Sequence, residues 1–169
     1  MMKYDKIIIS GPPGSGKTTI INELINNGHL CFNEINPQEI KDNQIKNDKK
    51  LLSEFLFNQR KKQHDKFINT TAFYDRSLID VVAYLDYWNE IYPTSWDQII
   101  TECQYARKIF FTPCWVDIYK KNNNRPESYS EAEKIEFFIK KTYLKFNYQI
   151  IEVPKKDVNK RVEFILKNI

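Results

Sequence analysis

Read for the alternation of apolar and polar positions, the chain divides into short isoleucine- and phenylalanine-rich runs separated by longer amphipathic stretches. Tyr4 to Ile9 is an apolar run of strand length, the kind buried on both faces. Lys17 to Asn27 sets Ile20, Ile21, Leu24 and Ile25 on one helical stripe, and Gly28 stands where a left-handed residue would end that helix. "HLCFN" predicts a second strand. Glu34 to Lys50 then turns polar, which predicts a long loop or a poorly anchored helix over 36–50. Leu51 to Ile68 is helical by pattern, with Leu51, Leu52, Phe55, Leu56, Phe67 and Ile68 as its inner face. "TAFYD" predicts a third strand ending on Asp75, and Leu78 to Trp88 an amphipathic helix.

Two capping-box patterns follow. "SWDQ", from Ser95, predicts a helix to about Arg107, and "SEAE", from Ser130, one to about Lys145. Between them "KIFFTP" predicts the fourth strand; after them come "YQIIEVP" as the fifth strand and a last helix from Val158 to Lys167. Strand and helix alternate throughout, so the expected fold is α/β: a five-stranded parallel sheet in three layers, with helices on both faces joined by right-handed crossovers. With 169 residues, 41% of them hydrophobic, one domain over 1–169 is the simplest count.

Only four glycines are present, and after Gly28 there are none. The other three open one loop. "GPPGSGKT", Gly11 to Thr18, matches G-x-x-x-x-G-K-[ST] with a strand before and a helix after, the context a phosphate-binding loop (P-loop) requires. Glycines let successive backbone N–H groups turn inward on an anion, and the helix starting at Lys17 adds its positive dipole end. The nucleotide-binding set is therefore Gly11, Pro12, Pro13, Gly14, Ser15, Gly16, Lys17, Thr18 and Thr19, with Lys17 on the β- and γ-phosphates and Thr18 on Mg²⁺. ATP is the expected nucleotide, with GTP left open.

A P-loop enzyme needs a carboxylate near the metal at the end of a neighbouring strand. Asp75 in "AFYDRS" supplies it, the bland alternative being an N-cap for the next helix. Arg76 is either a bidentate clamp on an anion or a solvated surface residue. Asp80 needs no role beyond complementing the helix dipole. Glu34 falls at the carboxyl edge of the sheet, where it would bind a substrate and take a hydroxyl proton, unless it is an ordinary loop residue. Arg125, in "NNNRPESYSEAE", occupies the position of a lid over about 116–132 that neutralises a transferring phosphoryl group. Lys120 and Lys121 read as solvated charge. His29 and His64 read as isolated, and Trp88, Trp96, Trp115, Phe110 and Phe111 as core, with Trp115 a candidate for base stacking.

Missing pieces exclude classes. With no glycine after Gly28, the D-x-x-G of a Ras-type switch cannot exist. A motor-type ATPase ends a strand on Asp-Glu, whereas Arg76 follows Asp75 here; Asp-Arg-Ser is similar instead to the acidic-Arg-Ser triplet of deoxynucleoside-kinase-like folds. The net charge of +4 suits a handler of nucleotides and falls short of a nucleic-acid binder. No segment approaches the roughly 20 apolar residues of a membrane span, and "MMKYDKIIIS" has no signal-peptide pattern, so a cytoplasmic protein is expected. Cys31, Cys103 and Cys114 are far apart in the chain and read as reduced thiols.

The stretches "ISGPPGSGKTTIINEL", "FYDRSLIDVVAYL", "FFTPCWVDIYKKNNNRPESYSEA", "YLKFNYQIIEVP" and "VNKRVEFIL" together resemble the NadR-like family of small P-loop proteins, also called AAA-domain predicted ATPases. That family includes nicotinamide-riboside kinase domains and, more remotely, the TRPL translocation defect proteins. The resemblance implies a nucleoside-kinase-like fold with a lid, ATP with Mg²⁺, and a phosphotransferase or NTPase role. It supports Gly11 to Thr18, Glu34, Asp75, Arg76 and Arg125 as site residues, and Arg161 either as one more or as a structural salt-bridge former. The chain departs from the family at "EINPQE", at Asn122 to Asn124 and at Ser77. Two expectations result: a kinase with a small-molecule acceptor such as a nucleoside or nicotinamide riboside, or a slow ATPase/GTPase switch with a protein or anionic-lipid partner. The acceptor and the oligomeric state stay open.

Overall fold

The computed structural model describes residues 5–37, 40–120 and 127–169. Five parallel strands form one sheet: β1 (Lys6–Ser10), β2 (Leu30–Phe32), β3 (Ala72–Asp75), β4 (Lys108–Phe111) and β5 (Gln149–Glu152), in the order β2-β3-β1-β4-β5. The central strand β1 pairs Ile8 with Tyr74 on one side and with Ile109 on the other. The expected three-layer α/β architecture is the one observed.

Strand alternation divides the core in two. Ile8, Ile109 and Phe111 face α3 (Lys49–His64), α4 (Leu78–Tyr87), α5 (Ser95–Glu102) and α6 (Tyr129–Lys145). Ile7, Ile9, Phe73 and Phe110 face α1 (Lys17–Asn26) and α7 (Val158–Asn168) through Ile20, Leu24, Val162 and Ile165. Because both faces of β1 are covered, its central residues, Ile7 to Ile9, are apolar without alternation.

Helix ends show how a glycine-poor chain manages its turns. α1 closes in a Schellman motif: His29 N donates to Leu24 O at 3.0 Å, Gly28 N to Ile25 O at 2.9 Å, and Gly28 takes φ +83°. Asparagine does the same work after α4 and α6, where Asn89 and Asn147 adopt φ +57° and +62°. Asparagine is the residue that tolerates this conformation best after glycine.

Three local expectations are corrected. α5 is preceded by Thr94, which makes no side-chain cap bond, and it ends at Glu102, so "SWDQ" is not a capping box. α6 starts two residues earlier than expected, on a box made by Ser128 and Glu131. α3 ends at His64, leaving Phe67 87% exposed; its buried residues are Ser53, Phe57 and Arg60, not the leucine stripe. The polar segment carries a short helix, α2 (Asn43–Asn47), that buries none of its residues, as a poorly anchored helix would. All three thiols are free. No helix among the described residues is long and apolar enough to cross a membrane.

Candidate functional site

The carboxyl ends of β1, β2 and β3 open into a cleft of about 610 Å³. From the β1–α1 loop come Pro13, Gly14 and Gly16, and from the first turn of α1 Lys17, Thr18 and Thr19; after β2 comes Glu34; β3 ends on Asp75, and Arg76 follows it; α3 contributes Arg60, and α4 contributes Tyr84 and the cap residue Trp88. The structure thus gathers the P-loop, Glu34, Asp75 and Arg76 around one space. Arg125 lies outside the described residues, as do 121–126 of the expected lid; of the rest, Val116–Ile118 form a 3₁₀ turn and Tyr129–Ala132 the first turn of α6.

The loop is held by contacts from distant parts of the chain. Ser15 Oγ donates to Pro12 O at 2.8 Å and lies 2.7 Å from Thr112 Oγ1. Gly11 runs so close to the end of β4 that an added Cβ would stand 2.3 Å from Thr112 O and Oγ1, at a φ of +151°. Gly11→Ala is therefore expected to cost about 2–4 kcal/mol by overpacking and backbone strain, read as a lower denaturation midpoint. Behind the loop, the buried Arg161 of α7 donates from Nη2 to Ser15 O at 2.9 Å and stacks over Trp115 at 5.7 Å. Its Nε has no partner among the described residues. Trp115 stands with Arg161 rather than in the cleft.

Lys17 is 5% exposed and donates to Gly11 O at 2.9 Å and to Pro12 O at 2.8 Å. Its ammonium occupies the loop's own acceptors. Burial, and then the charge of Arg76, push its pKa down to about 8. Asp75, 3% exposed, is not a helix cap: Ser77 caps α4. Asp75 Oδ1 is buried without a hydrogen-bond partner among the described residues, and burial followed by the charge of Glu34 pushes its pKa up to about 6. A buried, unpartnered carboxylate oxygen lining the same cleft as the Thr18 side chain fits a divalent cation, which takes oxygen ligands.

Arg76 is not a surface residue. It is 5% exposed, at φ +73°, a conformation that costs a non-glycine residue on the order of 1–2 kcal/mol. Its backbone N donates to Ile9 O at 3.0 Å, its Nε to Glu34 Oε1 at 2.5 Å, and its guanidinium lies 5.5 Å from the Tyr84 ring. Burial alone would raise the Glu34 pKa, but Arg76, with Lys17 and Arg60 behind it, holds it below the usual carboxylate range. Burial likewise opposes charge on Arg76, and Glu34 first among its neighbours raises its pKa well above the ordinary value.

Sequence reasoning missed Arg60, whose Nη1 donates to Ser77 O at 3.0 Å and whose Nε is buried without a partner among the described residues. The signal was its place seven residues after Ser53 and three after Phe57, on the buried stripe of α3. Trp88, expected in the core, lines the cleft, with Lys49 Nζ 5.3 Å from its ring. His64 is not isolated: ligand atoms of His64, Asp65 and Cys103 lie within 4.8 Å of one another. Both ring nitrogens are already engaged, by Asp65 Oδ1 and Gln104 O at 3.2 Å each, and Lys61 holds Asp65.

A family model described as an AAA domain matches residues 6–161. The chain belongs to that family. No curated protein matches this AAA-domain chain significantly. Among solved structures it is similar to deoxyadenosine kinase from M. mycoides with bound dATP (19% identity, 96% of this chain and 98% of that chain, TM-score 0.68). Thymidylate kinase from Ehrlichia chaffeensis aligns at 17% identity over 99% of each chain, TM-score 0.66. The YorR protein from Bacillus subtilis, in complex with phosphorylated GDP, aligns at 14% identity over 96% of this chain and 94% of that chain, TM-score 0.63. At these identities the likeness is one of fold: the AAA-domain chain has the P-loop nucleoside-kinase fold, nearly end to end.

Proposed function

We propose that this chain is a cytoplasmic, single-domain kinase that transfers the γ-phosphoryl group of ATP to a hydroxyl of a nucleoside-like acceptor. One observation carries the reading: across the cleft from Lys17, the sheet edge presents Glu34 locked to Arg76, a polar acceptor end that hydrolysis alone would not need. The half-buried Tyr84 and Trp88 add flat faces suited to a ring system. Names of similar structures favour a deoxynucleoside or nucleotide, and the NadR-like resemblance favours nicotinamide riboside.

In this reading the Gly11–Thr19 backbone and Lys17 hold the triphosphate. Thr18 and Asp75 would hold Mg²⁺, which neutralises charge on the β- and γ-phosphates when bound. Glu34, kept ionised by Arg76, accepts the hydrogen of the acceptor hydroxyl and aims its oxygen at the γ-phosphorus. The new O–P bond forms as the bond to the β–γ bridging oxygen breaks; the proton passes to Glu34 and ADP leaves. A loose transition state asks little base strength of Glu34, so its lowered pKa is no obstacle. Lys17, with Arg125 from the proposed lid, neutralises the transferring group.

A panel of acceptors decides the matter. With ATP and Mg²⁺, one of deoxyadenosine, thymidine, deoxycytidine or nicotinamide riboside is expected to raise ATP consumption more than tenfold and to appear phosphorylated in the products. Equal slow hydrolysis with every acceptor would replace the kinase by the nucleotide-switch reading.

A further inference from the structure

Asp80 is 0% exposed, in the first turn of α4. A buried carboxylate is tolerated only where hydrogen bonds and opposite charge surround it, so its partners state its purpose. Oδ2 accepts from Ser77 N at 2.8 Å and from the Tyr143 hydroxyl at 2.6 Å. Oδ1 accepts from Ser10 Oγ at 2.5 Å and faces Arg76 Nη1 at 3.5 Å. A capping box uses the first of these contacts alone. The others reach the residue that leads into the P-loop, a helix more than sixty positions away, and the guanidinium that holds Glu34.

We propose that Asp80 is a positioning residue of the cleft, fixing the Arg76 guanidinium against Glu34. A left-handed arginine persists only where its surroundings over-determine it. The backbone bond to Ile9, the side-chain bond to Glu34 and the charge of Asp80 grip it from three directions. Tyr143 and Ser77, 2.8 Å apart through their hydroxyls, keep the Asp80 carboxylate from turning away. The inference rests on the kinase reading only where turnover is measured.

The test is the ¹⁵N signal of Arg76 Nε, assigned by its loss in Arg76→Lys. Asp80→Asn keeps the shape and removes the charge; it is expected to shift and broaden that signal and to leave affinity for ATP·Mg within about threefold. It should lower turnover with the best nucleoside of the panel by about 10–100-fold, the usual effect of a supporting residue. Tyr143→Phe removes one bond and keeps the carboxylate, so the signal moves the same way by less. An unmoved Arg76 signal in Asp80→Asn overturns the proposal, as it does in Tyr143→Phe if Asp80→Asn does not fold. Turnover loss that merely tracks loss of folded protein, or of ATP affinity, also overturns it. If the wild-type chain phosphorylates no acceptor, the kinase reading falls and the Arg76 signal still decides this one.

Discussion

Lys17→Met is expected to lower phosphoryl transfer by about 10³-fold or more while the protein still folds, because a positioned charge at the transferring group is among the largest single contributions to such a reaction. Removing the lysine relieves a buried ammonium, whose pKa burial and Arg76 already depress to about 8, and takes a donor from Gly11 O and from Pro12 O, the second of which keeps Ser15 Oγ. These effects oppose each other, and water entering from the cleft limits the second to the low end of about 1–3 kcal/mol. The pH dependence follows with a definite sign. As pH rises through about 8 the empty site loses the Lys17 proton, so wild-type affinity for ATP falls above that pH and binding takes up a proton. Titration calorimetry in buffers of different ionisation enthalpy reads both. The variant should lack the alkaline limb; full turnover in it would remove Lys17 from the mechanism.

Asp75→Asn is expected to trade function for stability. Burial and Glu34 raise the folded-state pKa of Asp75 from 3.8 to about 6. With the folded value above the unfolded one, the stabilising proton is fully present below about pH 4 and is lost as pH rises through about 6. The wild-type chain without nucleotide therefore loses stability across that window, and the neutral amide does not. Above pH 6 the variant should be more stable by on the order of 2 kcal/mol, or about 4–8 °C in Tm. The same change removes an anionic ligand for the metal, so turnover should fall at least about 10²-fold and ATP binding should lose most of its Mg²⁺ dependence. Unchanged Mg²⁺-dependent turnover would show that Asp75 is not at the metal.

What the sequence reveals follows from how local each cause is. All five strands were legible because each is a short apolar run bounded by turn-formers, and the P-loop because its glycine spacing has few other uses. The capping box of α6 was misplaced because "SYSEAE" contains the pattern twice, and only packing selects Ser128 over Ser130. Arg60 was invisible for the opposite reason. Two of the three buried positions of α3 are polar, so a search for apolar periodicity locks onto the half-buried leucines beside them. Asp80 looked like a dipole complement because only Ser77 and Arg76 among its partners are local; Ser10 and Tyr143 lie 70 and 63 positions away. Arg76 announced its chemistry but not its left-handed backbone, which belongs to the turn from β3 into α4.

The bond from Arg161 to Ser15 has a bearing on how the protein is made. Chains emerge from the ribosome beginning with the N-terminus, so the P-loop is exposed well before the helix that fastens it, whose Arg161 is synthesised 146 residues after Ser15. The sheet face of Ile7, Ile9 and Phe73 likewise stays half-covered until Val162 and Ile165 arrive. The grip on the P-loop is thus completed late in the nascent chain: a translation product interrupted before α7 would carry the whole motif and its contact with Thr112 but lack the Arg161 fastening.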